Sequence, residues 1–140
     1  MAQVLNVEVL TPGKAVANVK ATAVNLPGAF GYMTVLAGHA PLVSELEIGE
    51  LSITKVEGGQ KLNYFLGGGY IEVDQDRVII LADNVERPEE IDTSRAEEAR
   101  KRAEERLMSK SVETDIERAL RAMKRAEGRL QFAKVSGLKN

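Results

Sequence analysis

The stretch that decides the fold is Ile91-Asp92-Thr93-Ser94-Arg95-Ala96-Glu97-Glu98-Ala99-Arg100-Lys101-Arg102-Ala103-Glu104-Glu105-Arg106-Leu107. Ala96, Ala99, Ala103 and Leu107 fall at i, i+3, i+7 and i+11, the spacing of one helix face. Asp92 stands where an N-cap carboxylate accepts the first free backbone N–H groups. Further on, Ile116, Leu120, Met123, Leu130 and Ala133, helped by Ala119 and Ala126, form a second stripe. Ser109-Lys110-Ser111 is a short polar break, and Thr114 with Glu117 has capping-box spacing. Gly128 costs the second helix up to about 1 kcal/mol against Ala. The pattern predicts an antiparallel two-helix hairpin. Its seam is mostly alanine, and a buried methylene is worth only about 0.8 kcal/mol. The clasp is therefore weak, and the hairpin can open and refold elsewhere.

Upstream of this stretch the period changes to two. Leu5, Val7 and Val9 share a face, as do Val19, Ala21 and Ala23, and later Leu51 and Ile53. Thr11-Pro12-Gly13 and Pro27-Gly28 read as turns. Gly58-Gly59 suits a type I′ hairpin, because both residues can take positive φ. Lys61 to Leu66 reads as the return strand. Tyr70 to Val73 and Arg77 to Ala82 read as a second hairpin turning at Asp74-Gln75-Asp76. Short strands at such intervals predict a sandwich or barrel. The triplet Gly67-Gly68-Gly69 reads as a break between strands. No helix start and no Lys-Ser/Thr pair follows it, so it is not a phosphate loop but a place of positive φ or close strand approach.

Composition separates the same two modules. The 140-residue chain carries 19 Lys+Arg and 21 Asp+Glu. Residues 1–85 hold 5 basic and 9 acidic side chains, whereas residues 86–140 hold 14 and 12. Ten of the twelve glycines and three of the four prolines lie in the first part, and Pro88 marks the junction. The predicted domains are a β module, 1–85, and a helical module, 86–140. A net charge of -2 excludes a generally basic nucleic-acid binder. The absence of Cys excludes disulfides and thiolate metal sites. The single histidine, His39, has no second His with which to share a metal and reads as a turn residue. The longest strongly apolar run, Val78 to Ala82, is far short of the roughly 20 residues that span a bilayer. The start lacks signal-peptide character. These readings point to a soluble, intracellular protein that is not itself a catalyst.

The charged residues of the helices admit two readings. Arg95 and Arg102 share a face of the first helix, and Arg118, Arg121, Arg125 and Arg129 recur along the second. One reading is a solvated face supported by Glu98–Arg102 and Glu117–Arg121 pairs. The other is an anion site, with arginines from both helices converging on phosphates through forked, charge-assisted hydrogen bonds.

The order of motifs resembles a family. Gly38-His39-Ala40-Pro41-Leu42, then Gly67-Gly68-Gly69, then Ile91-Asp92-Thr93-Ser94-Arg95-Ala96 opening an Ala/Arg/Glu hairpin is similar to the epsilon subunit of bacterial F-type ATP synthases. The resemblance implies an N-terminal β-sandwich of about ten strands and a C-terminal two-helix domain. It implies a non-catalytic subunit of the rotor stalk, peripheral at the cytoplasmic face of the bacterial plasma membrane. The implied partners are the gamma subunit, the polar loops of the c-ring and, through the helices, the catalytic alpha/beta head. The family couples ion translocation to ATP synthesis. Its helices permit turnover when folded down and inhibit ATP hydrolysis when extended.

Some members bind ATP at the folded hairpin. Carried over residue by residue, that site implies Glu86, Ile91, Asp92, Arg95, Ala96, Arg102, Arg125 and Arg129, the last two from Lys124-Arg125-Ala126-Glu127-Gly128-Arg129-Leu130. No catalytic residue, resident cofactor or metal is implied. The chain departs from the family between Gly28 and Leu42. Ala29 stands where an acidic residue often follows the first glycine, and Tyr32 to Ala37 is more apolar. The alternatives are the same subunit without an ATP switch and a stand-alone protein-binding scaffold. A phosphohydrolase using Glu86 or Asp92 as base lacks a metal cluster and a nucleophile–base pair.

Overall fold

The computed structural model describes residues 3–109 and 115–138. The chain divides into two compact units, Met1–Arg87 and Pro88–Asn140.

The first unit contains β1 (Leu5–Thr11), β2 (Lys14–Gly28), β3 (Gly31–Leu36), β4 (Leu42–Lys55), β5 (Lys61–Asp74), β6 (Arg77–Ala82) and β7 (Val85–Glu86). The pairing order is β1-β6-β5-β4-β2-β3, and β1 also pairs with β2. Five strands thus close on themselves into a barrel-like sandwich, with β3 and β7 added at its sides. The β1–β6 pairing is parallel, while the other ladders are antiparallel. The alternating positions point inward as expected: Leu5, Val7, Val9, Leu51 and Ile53 are fully buried. They pack with Val24, Leu26, Val35, Ile71, Val73, Val78 and Ile80 in one apolar cluster. Burying each such side chain is worth about 1.5–3 kcal/mol.

The expected count of about ten strands is corrected to seven among the described residues. The segments read as Lys61 to Leu66 and Tyr70 to Val73 are one strand. Register with β4 runs unbroken from Leu42↔Val73 through Leu46↔Gly69 and Ile48↔Gly67 to Thr54↔Lys61. The glycine triplet runs through β5 without ending it. Gly68 and Gly69 have φ of 95° and 144°, and a Cβ on Gly69 would overlap the Leu81 carbonyl. Only glycine lets the two strands approach this closely. One long strand therefore serves where the pattern suggests two. The Gly58-Gly59 pair has positive φ at both residues, but it lies in a five-residue connection rather than a two-residue turn. The tight turn is Gln75-Asp76, with φ of 48° and 61°.

The second unit contains a short 3-10 turn, Pro88–Glu90, then α1 (Thr93–Met108) and α2 (Ile116–Leu138). The two helices pack along each other, and α2 also meets the Pro88–Glu90 turn, as an antiparallel return requires. The seam is narrower and more alanine-rich than expected. Ala96 and Ala103 of α1 and Ala119 and Ala126 of α2 are buried in it, and Phe132 of α2 is buried outside that line. Ile116 and Leu120 are instead 59% and 52% exposed, so the stripe expected through them is corrected. The Ala119–Ala126 line faces inward because small residues let helix axes approach closely.

Candidate functional site

The hairpin is built from its helix starts. The Asp92 carboxylate accepts the Arg95 backbone N–H at 3.0 Å, and the Asp92 carbonyl accepts that of Ala96. Asp92 is thus the N-cap of α1, as its position predicts. The second helix is capped by Asp115, whose carboxylate accepts the Arg118 N–H at 3.0 Å. The Thr114–Glu117 capping box falls outside the described residues, as does most of the polar break beyond Ser109. Asp115 could have been found from its place just before the first apolar residue of the helix.

The residues implied as an ATP site lie in both units. Glu86 belongs to the first unit, in β7, where its register partner is Phe65. Ile91 is half-buried at the end of the 3-10 turn, its N–H donating to the Pro88 carbonyl at 3.3 Å. Ala96 is buried in the seam. Arg95 and Arg102 are exposed, and Arg125 and Arg129 are half-buried.

Helix geometry relates these four arginines. Arg95, Arg102 and Arg125 each precede a buried alanine (Ala96, Ala103 and Ala126) by one residue. Each is rotated about 100° to the same side of its seam. Arg129, three residues beyond Ala126, falls about 60° to that side. In an antiparallel pair, equal offsets lie on the same side of the hairpin. The arginines therefore flank one side of the alanine seam, with Arg95 and Arg102 contributed by α1 and Arg125 and Arg129 by α2. Four guanidiniums along such a border suit a polyanion.

Arg100 is engaged within α1. Arg100 donates to Glu97 at 3.1 Å and to Glu104 at 3.0 Å. Its hydrogen bonds and charge hold the Glu97 carboxyl below its usual range, and the Arg100 guanidinium is held more firmly protonated. Among the described residues, this triad forms rather than the expected Glu98–Arg102 and Glu117–Arg121 pairs.

The remaining motifs are structural. His39 lies in a turn, its N–H donating to the Leu36 carbonyl and Nδ1 2.6 Å from the Ala40 carbonyl oxygen. Among the described residues, no cluster of His, Cys, Asp or Glu could hold a metal ion, and no helix is long and apolar enough to cross a membrane. Two features were not visible in the spacing. The Asp76 carboxylate accepts the Gly38 N–H, and the Tyr32 hydroxyl accepts the Glu50 N–H at 2.9 Å.

Comparison with known proteins matches both units in order. The ATP synthase delta/epsilon chain β-sandwich domain matches residues 4–88, and the long α-helix domain of the same chain matches residues 89–134. The chain belongs to the ATP synthase delta/epsilon family. It is 50% identical over 113 residues to the ATP synthase epsilon chain of Koribacter versatilis, covering 81% of this chain and 78% of that one. It is 40% identical over 113 residues to the epsilon chain of Desulforamulus reducens, covering 81% and 84%. Among solved structures, it is similar to a chain of the Euglena gracilis mitochondrial ATP synthase, OSCP/F1/c-ring in rotational state 1. The TM-score is 0.80 at 25% identity, covering 99% of this chain and 82% of that one. A chain of the Tetrahymena thermophila mitochondrial ATP synthase central stalk/c-ring shares the fold, with a TM-score of 0.54 at 16% identity over 94% and 95% of the two chains.

Proposed function

We propose that this chain is a non-catalytic central-stalk subunit of an F-type rotary ATP synthase, acting at the cytoplasmic face of the membrane. In this reading the β unit docks to a gamma-type subunit and to the polar loops of the c-ring. It helps carry rotation between ion translocation and ATP synthesis. The helical unit regulates ATP hydrolysis by moving between a folded hairpin and an extended form that reaches the alpha/beta head. The family match over both units supports the assignment.

The observation that carries the regulatory reading is the alanine seam bordered on one side by Arg95, Arg102, Arg125 and Arg129. Such a seam contributes little per residue, so a ligand bound across it changes the balance. ATP held only by the folded hairpin stabilises it by RT ln(1 + [L]/Kd), about 2.7 kcal/mol at a hundredfold excess over Kd. Asp92 and Ile91 position the start of α1, and Ala96 lets the helices approach. Glu86 enters only through the family resemblance. Equilibrium dialysis of the isolated chain with labelled ATP tests the switch. Saturable binding lost in Arg95→Ala and Arg125→Ala is expected, and no binding into the millimolar range sinks it.

A second reading keeps the subunit and drops the nucleotide. Met108, Ile116 and Leu120 are exposed beside Arg118 and Arg121 at the turn end of the hairpin. An acidic, partly apolar surface of the catalytic head would cover them directly. Deleting residues 86–140 then relieves inhibition equally at low and high ATP.

A further inference from the structure

We infer that the open edge of β3 accepts an extended, uncharged strand from a neighbouring subunit. No Asp, Glu, Lys or Arg occurs from Ala21 to Ser44, in a chain that is 29% charged. This charge-free segment includes all of β3 and the part of β2, Ala23 to Gly28, that pairs with it. Among the described residues, β3 pairs only with β2, and its other side carries no strand.

The register identifies the groups on that side. Gly28 and Gly31 flank the two-residue Ala29-Phe30 turn and form the hydrogen-bonded pair that closes it. Met33 and Val35 then bond to β2. The backbone groups of Tyr32, Thr34 and Leu36 point away from it. Two observations agree with this parity. Pro27, which has no N–H, is the register partner of Tyr32, and the Leu36 carbonyl accepts the His39 N–H outside the ladder. The N–H groups of Tyr32, Thr34 and Leu36 are thus presented at strand spacing. Beside them stand Phe30, fully exposed, and Leu36, 54% exposed, whereas the Tyr32 side chain reaches across β2 to the Glu50 N–H.

Sheet edges are normally protected by Lys, Pro, a bulge or a covering element. The β3 edge has none of the first three, and its register with β2 is unbroken. Regularly spaced backbone donors select an extended chain. The missing charge and the Phe30 and Leu36 side chains select an apolar one. A second copy of this chain fits less well. A contact between two six-residue strands falls well short of the ~1,200–2,000 Å² of a stable complex. A partner held elsewhere in the same assembly needs only this local addition.

This inference rests on the stalk assignment, and the test separates the two. Tagged full-length chain is expressed in its own cells. ATP synthase subunits retained with it are quantified at low and high salt. Retention by the wild type tests the assignment, and its absence overturns both the assignment and the inference. Thr34→Pro removes an outward N–H and breaks no backbone bond to β2, costing there only the Thr34 hydroxyl's bond to the Asn25 side chain. Thr34→Lys places a charge on the edge. Each is expected to lower retention about tenfold, the loss of roughly one strand hydrogen bond. Retention by the wild type should not weaken with salt. Amide exchange is then compared between free and assembled chain. Slowing at Tyr32, Thr34 and Leu36, with Met33 and Val35 already slow in both, is expected. Full retention by both variants, or unchanged exchange at those three amides, overturns the inference. So does a dimer of the isolated chain that Thr34→Lys dissolves, which would assign the edge to a second copy.

Discussion

The Asp76 carboxylate accepts the Gly38 backbone N–H at 2.6 Å, and the Asp76 carbonyl accepts that of Asn6 at 2.8 Å. One turn residue thereby ties together the start of β1, the β5–β6 turn and the Gly38-His39-Ala40-Pro41-Leu42 loop. Asp76 also has φ of 61°, a conformation that Asp and Asn tolerate better than Ala. Asp76→Ala is expected to cost about 1–3 kcal/mol, with most of the local effect at Gly38. Asp76→Asn keeps an acceptor oxygen and should cost much less. Urea unfolding measures the first quantity, and Gly38 amide exchange locates it.

Gly69→Ala meets two obstacles at once: a φ of 144° and the Leu81 carbonyl in the space a Cβ would need. Gly13 also has positive φ, 78°, but nothing lies within 4 Å of its added Cβ. Gly69→Ala should therefore destabilise by well over about 2 kcal/mol, and Gly13→Ala by about 1 kcal/mol. Equal losses in thermal unfolding would show that close approach of β5 and β6 is not what the triplet supplies.

Asp92→Ala removes the side-chain acceptor at the start of α1 and is expected to cost the hairpin about 1 kcal/mol. Helicity and exchange at residues 93–96 should report it, while the β unit melts as before. If ATP binds the folded hairpin, saturating ATP offsets part of this loss through the same folding equilibrium.

The seam explains which parts of the fold were legible in the sequence. Ala96, Ala103, Ala119 and Ala126 were visible in the helical period and are buried. Ile116 and Leu120 matched that period equally well yet face outward, because periodicity gives a face but not which of two neighbouring stripes a partner covers. Phe132 continues the line Arg125–Arg129 at i+7, outside the alanine stripe, and is only 4% exposed. In the β unit the alternation located the core, but one long strand running through glycines and two strands have the same alternation. The Asp76–Gly38 bond joins residues 38 apart and leaves no local signal. Phe132→Ala is accordingly expected to cost about 3–5 kcal/mol of stability, and Leu120→Ala much less. Near-equal losses would place the buried stripe back where the simple period puts it.

The Glu97–Arg100–Glu104 triad gives the hairpin a pH dependence of known sign. Arg100 hydrogen-bonds Glu97 and holds its carboxyl below the ordinary glutamate range. A carboxylate whose value is depressed on folding contributes stability above its unfolded value and loses it as pH falls through the folded one. Hairpin helicity in wild type should therefore fall as pH drops through the carboxylate range, with part of that fall absent in Arg100→Met. Both side chains are substantially solvent-exposed, so the effect is small and should shrink further in high salt. A fall of the same size in Arg100→Met, measured by helicity at low ionic strength, would mean that the acid response does not come from the Glu97–Arg100 pair.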